Sequence, residues 1–181
     1  MISLLLSACG ASGAAEREIE ARREEYAASQ ELRFTAKLRA NVGDTLFPCT
    51  LECAETPEGT RLRVVEPELI AGVTALLRPG ETELEYDGVS LFVGDLAASG
   101  LSPLTAAPML AQALKSGHVV RVWKETEEGK ALYAAELFFS DEWELTVWYD
   151  ALSLTPVRGE FCRDGSLAAV CELENFEYER G

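Results

Sequence analysis

From Glu31 the chain alternates strictly: Leu32, Phe34, Ala36, Leu38, Ala40 and Val42 are separated by Arg33, Thr35, Lys37, Arg39 and Asn41. A period of two with one apolar and one charged side predicts a strand with a single buried face. Gly43-Asp44 turns it back, and Phe47, Cys49, Leu51 and Cys53 then share the apolar face of a second strand, opposite Thr50 and Glu52. Pro57-Glu58-Gly59 turns again, and Thr60 to Glu66 returns as a third strand. Short strands are predicted at 73–77, 83–86 and 89–93, joined by Pro79-Gly80 and by Asp87-Gly88, a strong two-residue hairpin signal. Three more follow at 119–125, 131–139 and 143–149, and a hairpin from Val157 to Phe176 closes the chain around Asp164-Gly165.

Two stretches carry a helical period instead. Glu16 to Ala28 is rich in Ala, Glu and Arg, with Ile19, Arg22, Arg23 and Tyr26 at helical intervals. Gly100-Leu101-Ser102-Pro103 opens a second helix that runs to Ser116 and stops at Gly117, with Leu104, Ala107, Leu110, Ala111 and Leu114 on one face. Pro108 is expected to kink it or delay its start. The fold class that results is α+β and mostly antiparallel β. A long sheet curves, and its apolar face must be covered or must bury something, so the N-terminal and mid-chain helices are expected to pack on the concave side.

The first residues read differently. An apolar run, Ile2 to Leu6, ends in Leu6-Ser7-Ala8-Cys9 and gives way to small residues up to Ala15. This resembles the processing signal of a bacterial lipoprotein at all four positions: residues 1–8 as signal peptide, Cys9 as the lipidated thiol, and 9–15 as a flexible linker to one domain over 16–181. A secretory leader usually has a basic start and about 7–15 apolar residues. Here no Lys or Arg precedes Cys9, so either the leader begins upstream of Met1 or the match is fortuitous. The abrupt change from small residues to a charged segment favours the leader. The run is too short to span a bilayer, and no other stretch comes near that length without charges. The expected location is therefore the extracytoplasmic face of a membrane in the cell envelope, with two acyl chains on Cys9 as the anchor.

Charge narrows the partners. A formal net charge of −15 opposes binding to nucleic acid phosphates and to anionic lipid surfaces. Of the other cysteines, Cys49 and Cys53 stand roughly 13 Å apart along a strand, too far for a disulfide. Cys162 and Cys171 flank the 163–166 turn asymmetrically. A cross pair between the two sets stays open, the spacings fit no common zinc pattern, and buried free thiols are the preferred reading. No cofactor is implied.

Candidate chemistry is sparse. His118 is the only histidine, which makes a triad or a histidine metal site improbable; its place after a helix end suits contact with terminal carbonyls. The paired carboxylates Glu66 and Glu68, Glu81, Glu83 and Glu85, and Asp141, Glu142 and Glu144 alternate with apolar residues or sit at turns, as on a solvated sheet face. Neither calcium loops nor Gly-rich phosphate loops are present. The expectation is a protein that is not an enzyme. Trp123, Tyr133, Phe138, Phe139, Trp143, Trp148 and Tyr149 concentrate in one run of strands. They form either core or the wall of an apolar pocket. The pocket candidates are Phe34, Leu38, Phe47 and Leu51 from the first strands, Leu110 and Leu114 as lid, and Trp123 and Trp148.

Three stretches carry a family resemblance. They are the leading helix with the alternating strand Glu31–Val42, the passage Val65-Glu66-Pro67-Glu68-Leu69 followed by Glu83-Leu84-Glu85-Tyr86-Asp87-Gly88, and the helix ending at Gly117 with the aromatic strands after it. Together they resemble the LolA/LolB-like lipoprotein-carrier superfamily, which implies a half-open barrel with helices as a lid over an apolar cavity. The sequence looks more specifically like lipoproteins of spore-forming clostridial bacteria, including germination lipoproteins, which would imply a half-barrel that binds a cell-wall amidase. It departs from the carriers in having Cys9, since those are not lipid-anchored. Two functions are carried forward: a membrane-anchored lipoprotein that binds lipid or lipoprotein acyl chains, and a protein-interaction module for an exported cell-wall hydrolase.

Overall fold

Hydrogen bonding along the chain produces one continuous antiparallel sheet. The computed structural model describes residues 9–42, 45–96 and 100–180. The lipobox residues Leu6 to Ala8 and the Gly43-Asp44 turn lie outside the described residues. The elements in order are α1 (Cys9–Ala27), β1 (Ser29–Val42), β2 (Thr45–Thr56), β3 (Gly59–Glu66), β4 (Thr74–Arg78), β5 (Glu81–Tyr86), β6 (Val89–Phe92), α2 (Ala106–Ser116), β7 (His118–Glu127), β8 (Lys130–Phe138), β9 (Glu144–Asp150), β10 (Pro156–Arg163) and β11 (Ser166–Arg180). The eleven strands are ordered β6-β5-β4-β3-β2-β1-β11-β10-β9-β8-β7, so β6 and β7 are edges and the barrel is not closed.

The alternating strand lies at the centre of this sheet. Leu32, Phe34, Ala36, Leu38 and Ala40 of β1 are all buried on the face that also carries Leu51 and Cys53 of β2 and Ala169, Cys171 and Leu173 of β11. Leu110, Ala111 and Leu114 of α2 and Ile19 of α1 complete the same core. Gly159 in β10 lets α2 approach, because a Cβ there would stand 2.9 Å from a Leu110 methyl. At the far end Tyr26 meets Phe176 and Tyr178 edge-on at 5.3 and 5.1 Å.

Three boundaries differ from expectation, each for a local reason. The first helix begins at Cys9: Ala11, Ala14 and Ala15 favour it against Gly10 and Gly13, and Ala15 is buried in the core. The second begins at Ala106, because Ser102 and Thr105 close a turn first: Thr105 Oγ1 donates to the Gly100 carbonyl at 2.7 Å and accepts from the Ser102 N–H at 2.7 Å. Pro108 then falls in the first turn, where its missing N–H costs nothing. Strand β11 runs past Phe176 to Arg180 by means of an irregularity at Asn175, φ 53°, which shifts the buried set from Leu173 to Phe176 and Tyr178.

All four cysteines outside α1 are free, and Cys49, Cys53 and Cys171 are buried. Cys49 and Cys171 both pair with Leu38 from opposite sides, which places them two strands apart, about 10 Å, beyond disulfide reach.

Candidate functional site: an apolar cleft at the open end

The helices do not cover the whole concave face. Between β2, β3 and the segment before α2 lies a cleft of about 600 Å³, lined by Phe47, Cys49, Leu51, Val64, Ile70, Val73, Ser102, Pro103 and Leu104. None of these residues is charged. Period two puts Phe47, Cys49 and Leu51 on the inner side of β2, and Leu51 pairs with Val64 of β3.

Two irregular segments supply the rim. After β3 the chain makes a closed excursion: Gly72 N–H donates to the Val64 carbonyl at 2.8 Å, and Val64 N–H to the Val73 carbonyl at 2.9 Å. Gly72 takes φ +88°, a left-handed value that a side chain would strain. This excursion carries a 3-10 turn, Glu68–Ile70, and brings Ile70 and Val73 to the mouth. On the other side the Ser102–Thr105 turn holds Pro103 and Leu104 over the cleft. Burial with no compensating charge pushes the Cys49 thiol up to about 11, so it sits in the wall as a neutral, weakly reactive group.

No protein-family model and no curated relative matches the sequence. Solved structures do match. A putative outer membrane lipoprotein-sorting protein domain from Vibrio parahaemolyticus aligns with TM-score 0.51 at 12% identity, over 94% of this chain and 93% of that one. The fold is LolA-like. Mycobacterium tuberculosis lipoprotein LppX aligns with TM-score 0.50 at 12% identity over 91% and 95% of the two chains. An uncharacterized conserved protein from Thermus thermophilus gives 0.51 at 11% identity over 92% and 89%. At such identities the likeness is one of fold.

Within this LolA-like half-barrel the sequence candidates separate into three groups. Phe47 and Leu51 line the cleft. Phe34, Leu38, Leu110 and Leu114 share the inner face but are sealed into the core; Phe34 stacks on Phe176 at 6.0 Å, and Leu110 fills the space over Gly159. Trp123 and Trp148 lie on the opposite, outer face, in a second small cluster with Leu132 and Ala134. The reason is parity: Leu145, Val147 and Tyr149 of β9 point inward, so Trp148 points out. Residues that sequence reasoning did not assign to the pocket are Cys49, Val64, Ile70, Val73, Ser102, Pro103 and Leu104, most of which come from segments outside the first two strands.

The outer tryptophans have a structural task. Glu125 accepts from the Trp148 indole at 2.8 Å and from the Trp123 indole at 2.5 Å, and Arg158 stacks on Trp148 at 4.1 Å while bonding Glu127. The Trp148 bond first, then the Trp123 bond, hold the Glu125 carboxyl below its ordinary value. A depressed carboxylate contributes stability above its unfolded pKa and loses that contribution as pH falls through the folded value. Glu125→Ala should therefore cost roughly 1–3 kcal/mol at pH 7 by urea unfolding. The gap to the parent should shrink below about pH 4; a gap independent of pH would argue against the charged form.

His118 is exposed at the start of β7, opposite Phe138, and among the described residues its ring makes no hydrogen bond to the α2 carbonyls. The helix end there is closed by the backbone instead, Gly117 N–H donating to Ala113 at 2.9 Å.

Proposed function

We propose that this protein is a non-enzymatic envelope lipoprotein that holds the acyl chain of a lipid, or of a lipidated protein, in the cleft between β2, β3 and the 102–104 segment. The observation that carries the reading is the cleft itself: an uncharged, open volume of about 600 Å³ bordered by the packed core of the concave face. That size falls in the range of about 300–1,000 Å³ usual for small-molecule sites. Affinity would come from burial of methylenes, about 0.8 kcal/mol each, with Ser102 as the one polar side chain of the lining. The lipoprotein-sorting and lipoprotein descriptions of two similar structures support it.

Cys49 reports on the cleft directly. Adding a sixteen-carbon fatty acid should slow maleimide labelling of Cys49 severalfold and leave Cys162, outside the cleft, unchanged. Equal labelling of Cys49 with and without fatty acid would remove the ligand reading. Attachment through Cys9 has its own test. Cys9→Ser should move the protein from the membrane to the soluble envelope or medium fraction, and unchanged membrane retention would contradict the anchor.

A second reading, a module that binds or activates an exported cell-wall enzyme, is favoured by one observation, the uncovered sheet edge at β6.

A further inference from the structure

A sheet edge is a row of unpaired backbone donors and acceptors, and proteins normally guard it with charges, proline, bulges or a covering element. The two edges here are treated in opposite ways. Strand β7 carries His118, Arg121, Lys124, Glu125 and Glu127 and has a register shift between Val119 and Arg121. It also has α1 against it, with Glu20 accepting from the Val119 N–H at 3.2 Å. Strand β6 is Val89-Ser90-Leu91-Phe92, regular in its pairing with β5, with no charge and no proline. Its Val89, Leu91 and Phe92 are 69%, 60% and 64% exposed.

The hairpin geometry fixes which backbone groups are free. Asp87 and Gly88 take φ 51° and 76°, the two left-handed residues of a tight hairpin turn. Tyr86 therefore exchanges both bonds with Val89, and Leu84 with Leu91, one pair out of two along the ladder. Val93 N–H donating to the Thr82 carbonyl at 3.0 Å keeps the same phase. Ser90 and Phe92 consequently direct their N–H and C=O groups away from the sheet.

The faces beside this edge differ in chemistry. Val89 and Leu91 share the inner face with Tyr86 and Leu84, whereas Ser90 pairs with Glu85 and Phe92 with Glu83 on the outer face. Arg78 is bonded to Glu81. Among the described residues, neither Glu83 nor Glu85 has an ion-pair partner. Ser90 is small, so a long cation on a neighbouring strand reaches Glu85 across it.

We propose that β6 is a strand-addition site for an extended segment of a partner polypeptide in which apolar residues alternate with Lys or Arg. The segment bonds the outward N–H and C=O groups of Ser90 and Phe92, lays its apolar side against Val89 and Leu91, and sets a cation over Glu85 across Ser90, with Glu83 adding to the negative field behind Phe92. A second copy of this chain does not fit. Its own β6 brings no cation, so pairing two such edges leaves Glu83 and Glu85 of both copies without a counter-charge. The site operates whatever the cleft holds.

The test uses the full chain carrying Cys9→Ser and a fluorescein-labelled eight-residue peptide of alternating Val and Lys, read by anisotropy. Saturable binding is expected, with a Val–Glu peptide failing to bind. Ser90→Pro removes one outward N–H and leaves the β5–β6 ladder intact, since edge positions tolerate proline. It should weaken binding at least tenfold with an unchanged circular dichroism spectrum. Glu83→Gln with Glu85→Gln should weaken binding and reduce its salt dependence. The proposal is overturned if Ser90→Pro binds as well as the parent, or if the Val–Lys peptide binds no tighter than the Val–Glu peptide. It is equally overturned if sedimentation shows a dimer that Ser90→Pro dissociates, because the edge then belongs to a second copy.

Discussion

Replacing Val73 with tryptophan should cut uptake of a fluorescent fatty acid by on the order of 100-fold. Val73 stands at the rim of the cleft and is held by its own backbone, its carbonyl accepting from the Val64 N–H at 2.9 Å. An indole there projects into the space an acyl chain would use, and exclusion of about four methylenes at ~0.8 kcal/mol each removes about 3 kcal/mol of burial. The side chain is only partly buried, so the fold has room to accept the change. Val73→Ala, which widens the mouth, should retain uptake within about threefold, because the volume it opens is continuous with the cleft. Uptake by the tryptophan variant equal to that of the parent would mean that the fatty acid binds elsewhere.

The largest stability effect is expected at Leu110. This side chain is fully buried and rests directly on the backbone of β10, where Gly159 has no side chain to fill a gap. Leu110→Ala leaves a hole between a helix and a sheet held flush by that glycine, so little collapse can compensate. A loss of about 2–5 kcal/mol is expected. With about 2–4 °C per kcal/mol for a domain of this size, the melting temperature should fall by on the order of 10 °C. Because Leu110 seals the core and does not line the cleft, fatty-acid uptake at a temperature where the variant is folded should stay within about twofold of the parent. A large loss of uptake with little change in melting temperature would reverse the roles of core and cleft.

How much of this was legible in the sequence depended on whether a residue's surroundings come from its own strand. Leu32 to Ala40 have a polar residue between each pair, so period two alone put them on a buried face. Asp87-Gly88 and Asp164-Gly165 announced their hairpins because two consecutive left-handed residues need side chains that tolerate them. In β8 the same rule gives no answer. Leu132 and Ala134 face one side, Tyr133, Ala135 and Leu137 the other, and both sides are apolar, so the tryptophans paired with this region could not be assigned a face. A weaker signal was available in Glu125, an acceptor two residues from Trp123 on the same face.

The cleft was harder for a different reason. Phe47 and Leu51 line it while Phe34 and Leu38, one strand away with the same alternation, are core; what separates them is the position of α2 and of the 102–104 segment. The rim residues Ile70, Val73, Pro103 and Leu104 come from loops without periodicity. Their meeting is a long-range contact that no local pattern encodes. The LolA-like layout, by contrast, was readable from the order of helix, strands and turns, and the structure bears it out.

The central claim is that the open volume under β2 and β3 is a binding site for an acyl chain. The most direct measurement is native mass spectrometry of the Cys9→Ser chain, purified without detergent and then incubated with envelope lipids. The proposed function predicts an added mass equal to one lipid, displaced by excess fatty acid and absent from the Val73→Trp variant. A bare, homogeneous protein mass before and after incubation would contradict it.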